Sequence, residues 1–168
     1  SKKNLKVRST MNYDKTIKDT LTHVKLVSDR IDIICKDLKR RARTHDKSKM
    51  FSPEVDVFAD TVEDTENIKY GSDKYNEILE KLEPALTHHY SKNRHHAQHF
   101  PNGIAGMNLI DLVEMLCDWS ASCARYKDGN ILTSISINTE RFNISPDLAS
   151  ILRNTAELFE LLPEQEEK

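Results

Sequence analysis

Apolar residues along this chain recur at spacings of three and four, and only four glycines and five prolines interrupt them. That pattern predicts helices almost throughout and next to no strand. The first helix is predicted over about Tyr13 to Leu38, where Ile17, Leu21, Val24, Val27, Ile31, Ile34 and Leu38 share one side. With about 100° of rotation per residue, His23 lies about 70° from the centre of that stripe, at the edge of the expected core. A short second helix is predicted over Arg41 to Lys49. Ser52-Pro53-Glu54 then reads as a restart signal, with serine as the cap and proline in the first turn.

Thr61 to Ser72 reads as a polar surface loop. From Asp73 to about Tyr90 the residues Tyr75, Ile78, Leu79, Leu82, Leu86 and His89 fall on one face, so His89 points inward. Pro84 lies within that run and predicts either a kink or the start of a new helix. Phe100-Pro101-Asn102-Gly103 and Gly106 form a break, and Asn108 with Asp111 three residues later resembles a capping arrangement. The helix it starts is predicted to run to about Lys127. Leu109, Leu112, Val113, Leu116 and Cys123 are its expected buried side, with Asp111, Glu114, Asp118 and Arg125 on a different face. Asp128-Gly129-Asn130 is a turn, a helix of about ten residues follows, and Ser145-Pro146-Asp147 caps a last helix to about Leu162. The expected architecture is therefore all-α, a single compact helical domain with an ordered core over about 12–162. A chain of 168 residues fits one domain that buries roughly 68–70% of its unfolded surface.

Charge refines this picture locally rather than globally. The chain carries 25 basic and 27 acidic side chains, a net of −2, which lacks the footprint of a general nucleic-acid binder. No long nucleic acid is expected as a partner. Lys36, Lys39, Arg40, Arg41, Arg43, Lys47 and Lys49 nevertheless crowd around His45-Asp46, and Lys92 and Arg94 sit among later histidines. Lys36 to Arg43 is read equally well as a solvated helix face. Three cysteines form an odd set without a CxxC pair, and no stretch suits a signal peptide or a membrane span. These features predict buried thiols in a reducing cytoplasm and no membrane partner. The apolar residues of the last helix, Leu152, Leu158, Phe159 and Leu161, would serve either the core or a homo-oligomer.

The histidines supply the candidate chemistry. All seven fall in three short stretches: His23 alone, His45 before Asp46, and His88, His89, His95, His96 and His99 within twelve residues. Imidazole beside carboxylate is the ligand set that divalent iron, manganese, zinc and nickel share. His88, His89, His95 and His96 are alternatives for metal ligation that the sequence leaves open. His95, His96 and His99, near Lys92 and Arg94, could complete a second ion or bind phosphate, and His99 alone reads better as a satisfied loop histidine. Glu114, one turn from both Asp111 and Asp118, is a candidate general base or a partner that orients a ligand histidine. Asp111 would serve as a cap. Tyr90, Trp119 and Phe100 could stack on a base, although core packing is the better reading for Trp119.

The order His, His-Asp, His, Asp on successive helices resembles the HD-domain metal-dependent phosphohydrolases. That resemblance implies an HD-like bundle whose ligands are His23, His45, Asp46, one or more of His88, His89, His95 and His96, and Asp118. Within it, His45-Asp46-Lys47-Ser48-Lys49 is similar to the HD-x-G-K form, which implies a phosphate-neutralising or charge-stabilising role for Lys49. The longer motifs resemble a different group. Thr22-His23, His45 to Lys49, His88 to Phe100, Gly103-Ile104, Met107 to Leu109, Asp111 to Trp119, Asn138 to Phe142 and Asn154 look like a family of uncharacterised bacterial and bacteriophage proteins, over about residues 12 to 160.

The implied activity is metal-assisted hydrolysis of a nucleotide or other small phosphorylated compound, a phosphomonoesterase, phosphodiesterase or nucleotide hydrolase. One or two divalent ions (Mn, Fe, Co, Ni, Zn or Mg) would lower the pKa of water from about 15.7 towards 7 for attack on phosphorus. Lys49, Glu114 and His89 are then the candidate catalytic groups. Lys92, Arg94, His95 and His99 are the candidates to hold the substrate, with arginine suited to bidentate recognition of phosphate. His23, His45, Asp46, His88, His89, His96 and Asp118 are the candidate metal ligands. The rival expectations are an HD-type di-iron oxygenase and a non-catalytic module that sequesters a nucleotide or a protein partner, in a bacterial cytosol or a phage-infected cell.

Overall fold

The computed structural model describes residues 2–65, 73–125 and 129–161, with the side chains of 2–11, 62–76 and 79 left aside. Its regular elements are helices, and no strand occurs among the described residues. The chain is all-α, as the spacing of its apolar residues predicts. Two compact units can be distinguished, residues 1–43 and residues 44–168.

The first unit belongs to one helix, α1, Lys2–Thr44. It is longer at both ends than the apolar stripe suggests. Ile17, Leu21, Val24, Val27, Ile31 and Ile34 remain exposed along it, contrary to the expectation of a buried side. Within its own unit the helix has no second element against which to bury them. Polar side chains on α1 satisfy one another locally, as in the Lys25–Asp29 pair and the Asp37 carboxylate shared by Arg40 and Arg41. Pairs of this spacing support a helix by a few tenths of a kcal/mol each.

The expected helix over Arg41 to Lys49 does not form. Asp46 takes a left-handed backbone, φ 52° and ψ 18°, which stops helical propagation, and Lys47–Met50 continue as one 3-10 turn. Aspartate is among the few side chains that tolerate this region. Helix α2, Glu54–Thr65, then starts directly after Pro53. Its second half replaces the first part of the predicted surface loop, and Thr61 is buried; the remainder, 66–72, lies outside the described residues.

Helix α3, Asp73–Lys92, runs through Pro84 without ending there. It pairs with α2 and buries Ile78, Ala85 and His89, so His89 points inward as its register requires. The next helix, α4, covers Leu109–Cys123. Asn108 caps it through Ile110 and Asp111, and the Asp111 carboxylate closes a reciprocal capping box on the Asn108 amide. The buried face of α4 is shifted from the predicted one. Leu109 and Val113 are exposed, whereas Asp111, Met115 and Leu116 are buried. Asp111 can face inward because its cap and the Arg94 guanidinium satisfy its oxygens.

Helix α5, Ile131–Arg141, is capped by Asn130, and α6, Pro146–Leu158, by Ser145. Met115, Leu116, Ile131, Ile135, Ile144, Ala149, Leu152 and Ala156 form the core that locks α4, α5 and α6 together. Leu152 belongs to that core, while Leu158 and Phe159 stay exposed. The three cysteines are free thiols, and Cys35 and Cys117 are exposed rather than buried. No described helix is long and apolar enough to cross a membrane.

Candidate metal centre

The second unit gathers histidine and carboxylate from four separate stretches. His45 and Asp46 follow α1, and the left-handed turn at Asp46 lets neighbours that a helix would splay by about 100° converge instead. His89 stands on the inner face of α3. Beyond the end of α3, Asn93 folds the chain back by donating its amide to Ser48 Oγ and the His89 carbonyl, which returns His95 and His96 to the same place. Asp118 comes from α4. The result is two overlapping groups whose ligating atoms lie within 4.8 Å of one another: Asp46, His89, His95 and His96, and His45, Asp46, His95 and Asp118. The imidazoles pack closely, with ring centroids 4.0 Å apart for His95 and His96 and 4.3 Å for His45 and His95.

The spacings match a shared cation. His89 Nε2 and His95 Nε2 each lie 3.3 Å from Asp46 Oδ1, His89 Nε2 lies 2.9 Å from His96 Nε2, and His45 Nε2 lies 3.5 Å from Asp118 Oδ1. Ligand atoms about 2.0–2.2 Å from a common ion stand roughly 3.0–3.5 Å from each other. Asp46 Oδ1 and His95 Nε2 are buried and have no hydrogen-bond partner. Buried polar atoms are otherwise almost always satisfied, and an ion is one of the standard reasons for an exception.

Two further carboxylates set the imidazole orientations. Glu54, fully buried, accepts from Nδ1 of His88 at 2.7 Å, from Nδ1 of His89 at 2.8 Å and from Ser48 Oγ at 3.0 Å. Glu114 Oε1 lies 3.0 Å from His45 Nδ1 and 3.4 Å from His95 Nδ1. With Nδ1 so directed, the Nε2 atoms of His45, His89 and His95 are turned into the cluster. A carboxylate behind a ligating imidazole is the usual support of a metal site.

Electrostatics follow from this packing. Burial works against ionisation of Asp46, but the nearby imidazoles of His89 and His95 and the hydrogen bond from Lys49 outweigh it and hold the carboxyl well below its ordinary range. Burial likewise opposes the charge on Glu54 and on Asp118, and is outweighed by His88, His89 and Ser48 in the first case and by His45 in the second. The Asp118 carboxylate, assisted by Glu114, raises His45 to about 9 against the effect of desolvation. Desolvation, then the neighbouring His95 and His89, push His96 down to about 3, so at neutral pH His96 is a neutral imidazole with a lone pair to offer.

The remaining candidates belong to neither group. His23 lies on α1 in the first unit, exposed, and belongs to neither group. His88 belongs to neither group and leans on Glu54 from outside. His99 points Nδ1 at the Tyr90 carbonyl, 2.8 Å away, and packs edge-on against Phe100. Lys49 donates to Asp46 Oδ2 at 2.6 Å. Arg94 is spent on a two-pronged pair with buried Asp111 and on the Phe100 face. Lys92 lines a separate groove with Lys47 and His88. Beside the cluster, a cavity of about 480 Å³ is bordered by His95, His96 and Asp118 and, further along, by Trp119, Arg141 and Phe142. Glu54 was not legible as a partner of the histidines, because it looks like any acidic residue in the first turn of a helix, and Arg141, which lines the cavity, looks like a favourable cation at a helix end.

No curated protein and no solved structure matches the chain. Residues 12–158 match the family described as a family of unknown function, DUF5662, and the chain belongs to that family.

Proposed function

We propose that this protein is a metal-dependent phosphohydrolase of HD type that acts on a small phosphorylated compound in the cytosol of a bacterium or an infected cell. The observation that carries the reading is the pair of buried, unpartnered atoms, Asp46 Oδ1 and His95 Nε2, at the point where the two His/Asp groups overlap. An imidazole whose Nδ1 faces Glu114 has a single nitrogen left, so His95 can serve only one ion. Asp46, His89, His95 and His96 would hold one ion, and His45 and Asp118 would hold a second together with the shared Asp46 carboxylate. Mixed nitrogen and oxygen donors suit Mn, Fe, Co, Ni or Zn.

Divalent ions bound there would supply Lewis acidity and a water of lowered pKa. The protein's own groups orient the ligands and set their charge. Glu54 and Glu114 hold the Nδ1 protons, His96 stays neutral, and Lys49 keeps Asp46 ionised while placing an ammonium next to the bridge. The test is elemental analysis of purified wild type and Asp46→Ala, with phosphate release assayed against a panel of nucleotides and sugar phosphates. Wild type should carry metal and release phosphate only when loaded, and the variant should lose both while its helical circular dichroism persists. Unchanged metal content in the variant overturns the centre. Bound iron with a near-ultraviolet band and no phosphate release overturns the hydrolase in favour of an oxygenase.

A further inference from the structure

The cavity next to the cluster has a second wall that the metal chemistry does not use. Helix α5 is pinned by Ile131 and Ile135, both fully buried, and the residues offset from them, Ser134, Asn138 and Arg141, line the cavity at spacings of four and three. Arg141 is the one lysine or arginine among the described residues that line it. Its guanidinium carbon sits 4.9 Å above the centroid of Phe142, and the Phe142 ring lies parallel to Trp119, at 7° and 6.4 Å between centroids. The cation is therefore held by an aromatic ledge and, among the described residues, engaged by no acidic side chain, unlike Arg94, which Asp111 occupies, and Lys49, which Asp46 occupies. Asn138 donates its amide nitrogen to the Ser134 carbonyl and hydroxyl, which leaves its carbonyl oxygen for a ligand hydroxyl or amine. The volume, about 480 Å³, lies in the range of small-molecule sites, roughly 300–1,000 Å³.

We propose that this cavity is the substrate chamber and that Arg141, rather than Lys49, Lys92 or Arg94, clamps an oxyanion of a small organic phosphate, with Ser134 and Asn138 reading its uncharged polar groups. A guanidinium offers parallel donors to two oxygens of one phosphate, which selects an esterified anion over its neutral parent. The assignment rests on the phosphohydrolase reading for the nature of the ligand. Its geometry stands on the cavity wall alone.

Trp119 is the single tryptophan of the chain and lines the cavity, so its fluorescence reports occupancy directly. The full chain would be titrated with adenosine monophosphate and with adenosine, as probes of the right size that differ by one phosphate, in wild type, Arg141→Gln, Arg141→Lys and Lys92→Gln. Wild type and Lys92→Gln should bind the phosphate ester about tenfold or more tightly than the nucleoside, the difference expected of one charge-assisted contact. Arg141→Gln should abolish that preference with unchanged metal content, and Arg141→Lys should keep part of it. Equal binding of the two probes by wild type, no response to either, or a preference that survives Arg141→Gln but not Lys92→Gln overturns the clamp. The two readings fail separately. If the preference depends on Arg141 but metal-loaded protein releases no phosphate from any ester, the hydrolase falls and the clamp stands. If phosphate is released with the same KM in Arg141→Gln, the clamp falls and the hydrolase stands.

Discussion

Glu54 shows how one side chain can set the state of several others. It is fully buried yet ionised, because two imidazole N–H groups and a serine hydroxyl surround it. Glutamine at this position keeps the shape but offers one acceptor oxygen and an amide that repels an N–H donor. Glu54→Gln should therefore release His89 from its orientation, weaken metal binding about 10–100-fold, and lower stability by about 2–3 kcal/mol at pH 7. Metal titration and urea unfolding read the two effects separately. The acid dependence has a definite sign. The folded carboxyl lies below its ordinary value of 4.5, so its contribution is complete above that value and fades as the pH falls through the lower folded value. The stability gap between wild type and Glu54→Gln should be widest near neutrality and narrow below about pH 4.5; a gap that widens in acid would show that Glu54 is not held ionised by its histidines.

At the scale of elements, local codes were legible where a short-range interaction decides the outcome, and illegible where a distant residue does. Asn108, Asn130 and Ser145 begin their helices because each supplies an oxygen to amides that the helix leaves free. Asn108→Ala should cost about 1 kcal/mol in urea unfolding, since it removes half of the capping box. His89 was legible too, as the last inward position on α3. The burial of α4 was not, because the periodicity of Leu109, Leu112, Val113 and Leu116 carries no sign of Arg94, which makes an inward Asp111 acceptable. Nor was the break at Asp46, whose left-handed backbone lets two adjacent ligands share a site. Gly129 makes the same point from the other side. A Cβ there would fall 1.8 Å from the Cys123 carbonyl oxygen, so the chain entering α5 passes directly over the end of α4. Gly129→Ala should push that segment outward, destabilise the fold by about 2 kcal/mol or more and shift the emission of Trp119 in the adjoining cavity. A variant with wild-type stability and emission would mean that the approach is not as close as described.

For the whole molecule, the question is how many ions the second unit can hold. The sequence order His, His-Asp, His, Asp assigns His23 to the centre by resemblance, whereas the two groups that the fold assembles draw every member from residues 45–118. If the proposed two-ion division holds, the ligand count makes a graded prediction. His96→Ala removes a donor from one ion only, and His45→Ala from the other only, so each should lower the bound metal from two ions per chain towards one. Asp46→Ala removes the bridge and should lower it towards none. His23→Ala should leave the count at two, because the one carboxylate within a turn of His23 on α1 is Asp19, with Val27, Thr20 and Leu26 at the other flanking positions, and a single carboxylate beside a lone imidazole on an exposed helix does not make a four-ligand site. Elemental analysis of the four variants under equal loading checks the whole pattern at once. If His23→Ala instead lost an ion as Asp46→Ala does, the division into two ion sites within the second unit would fail.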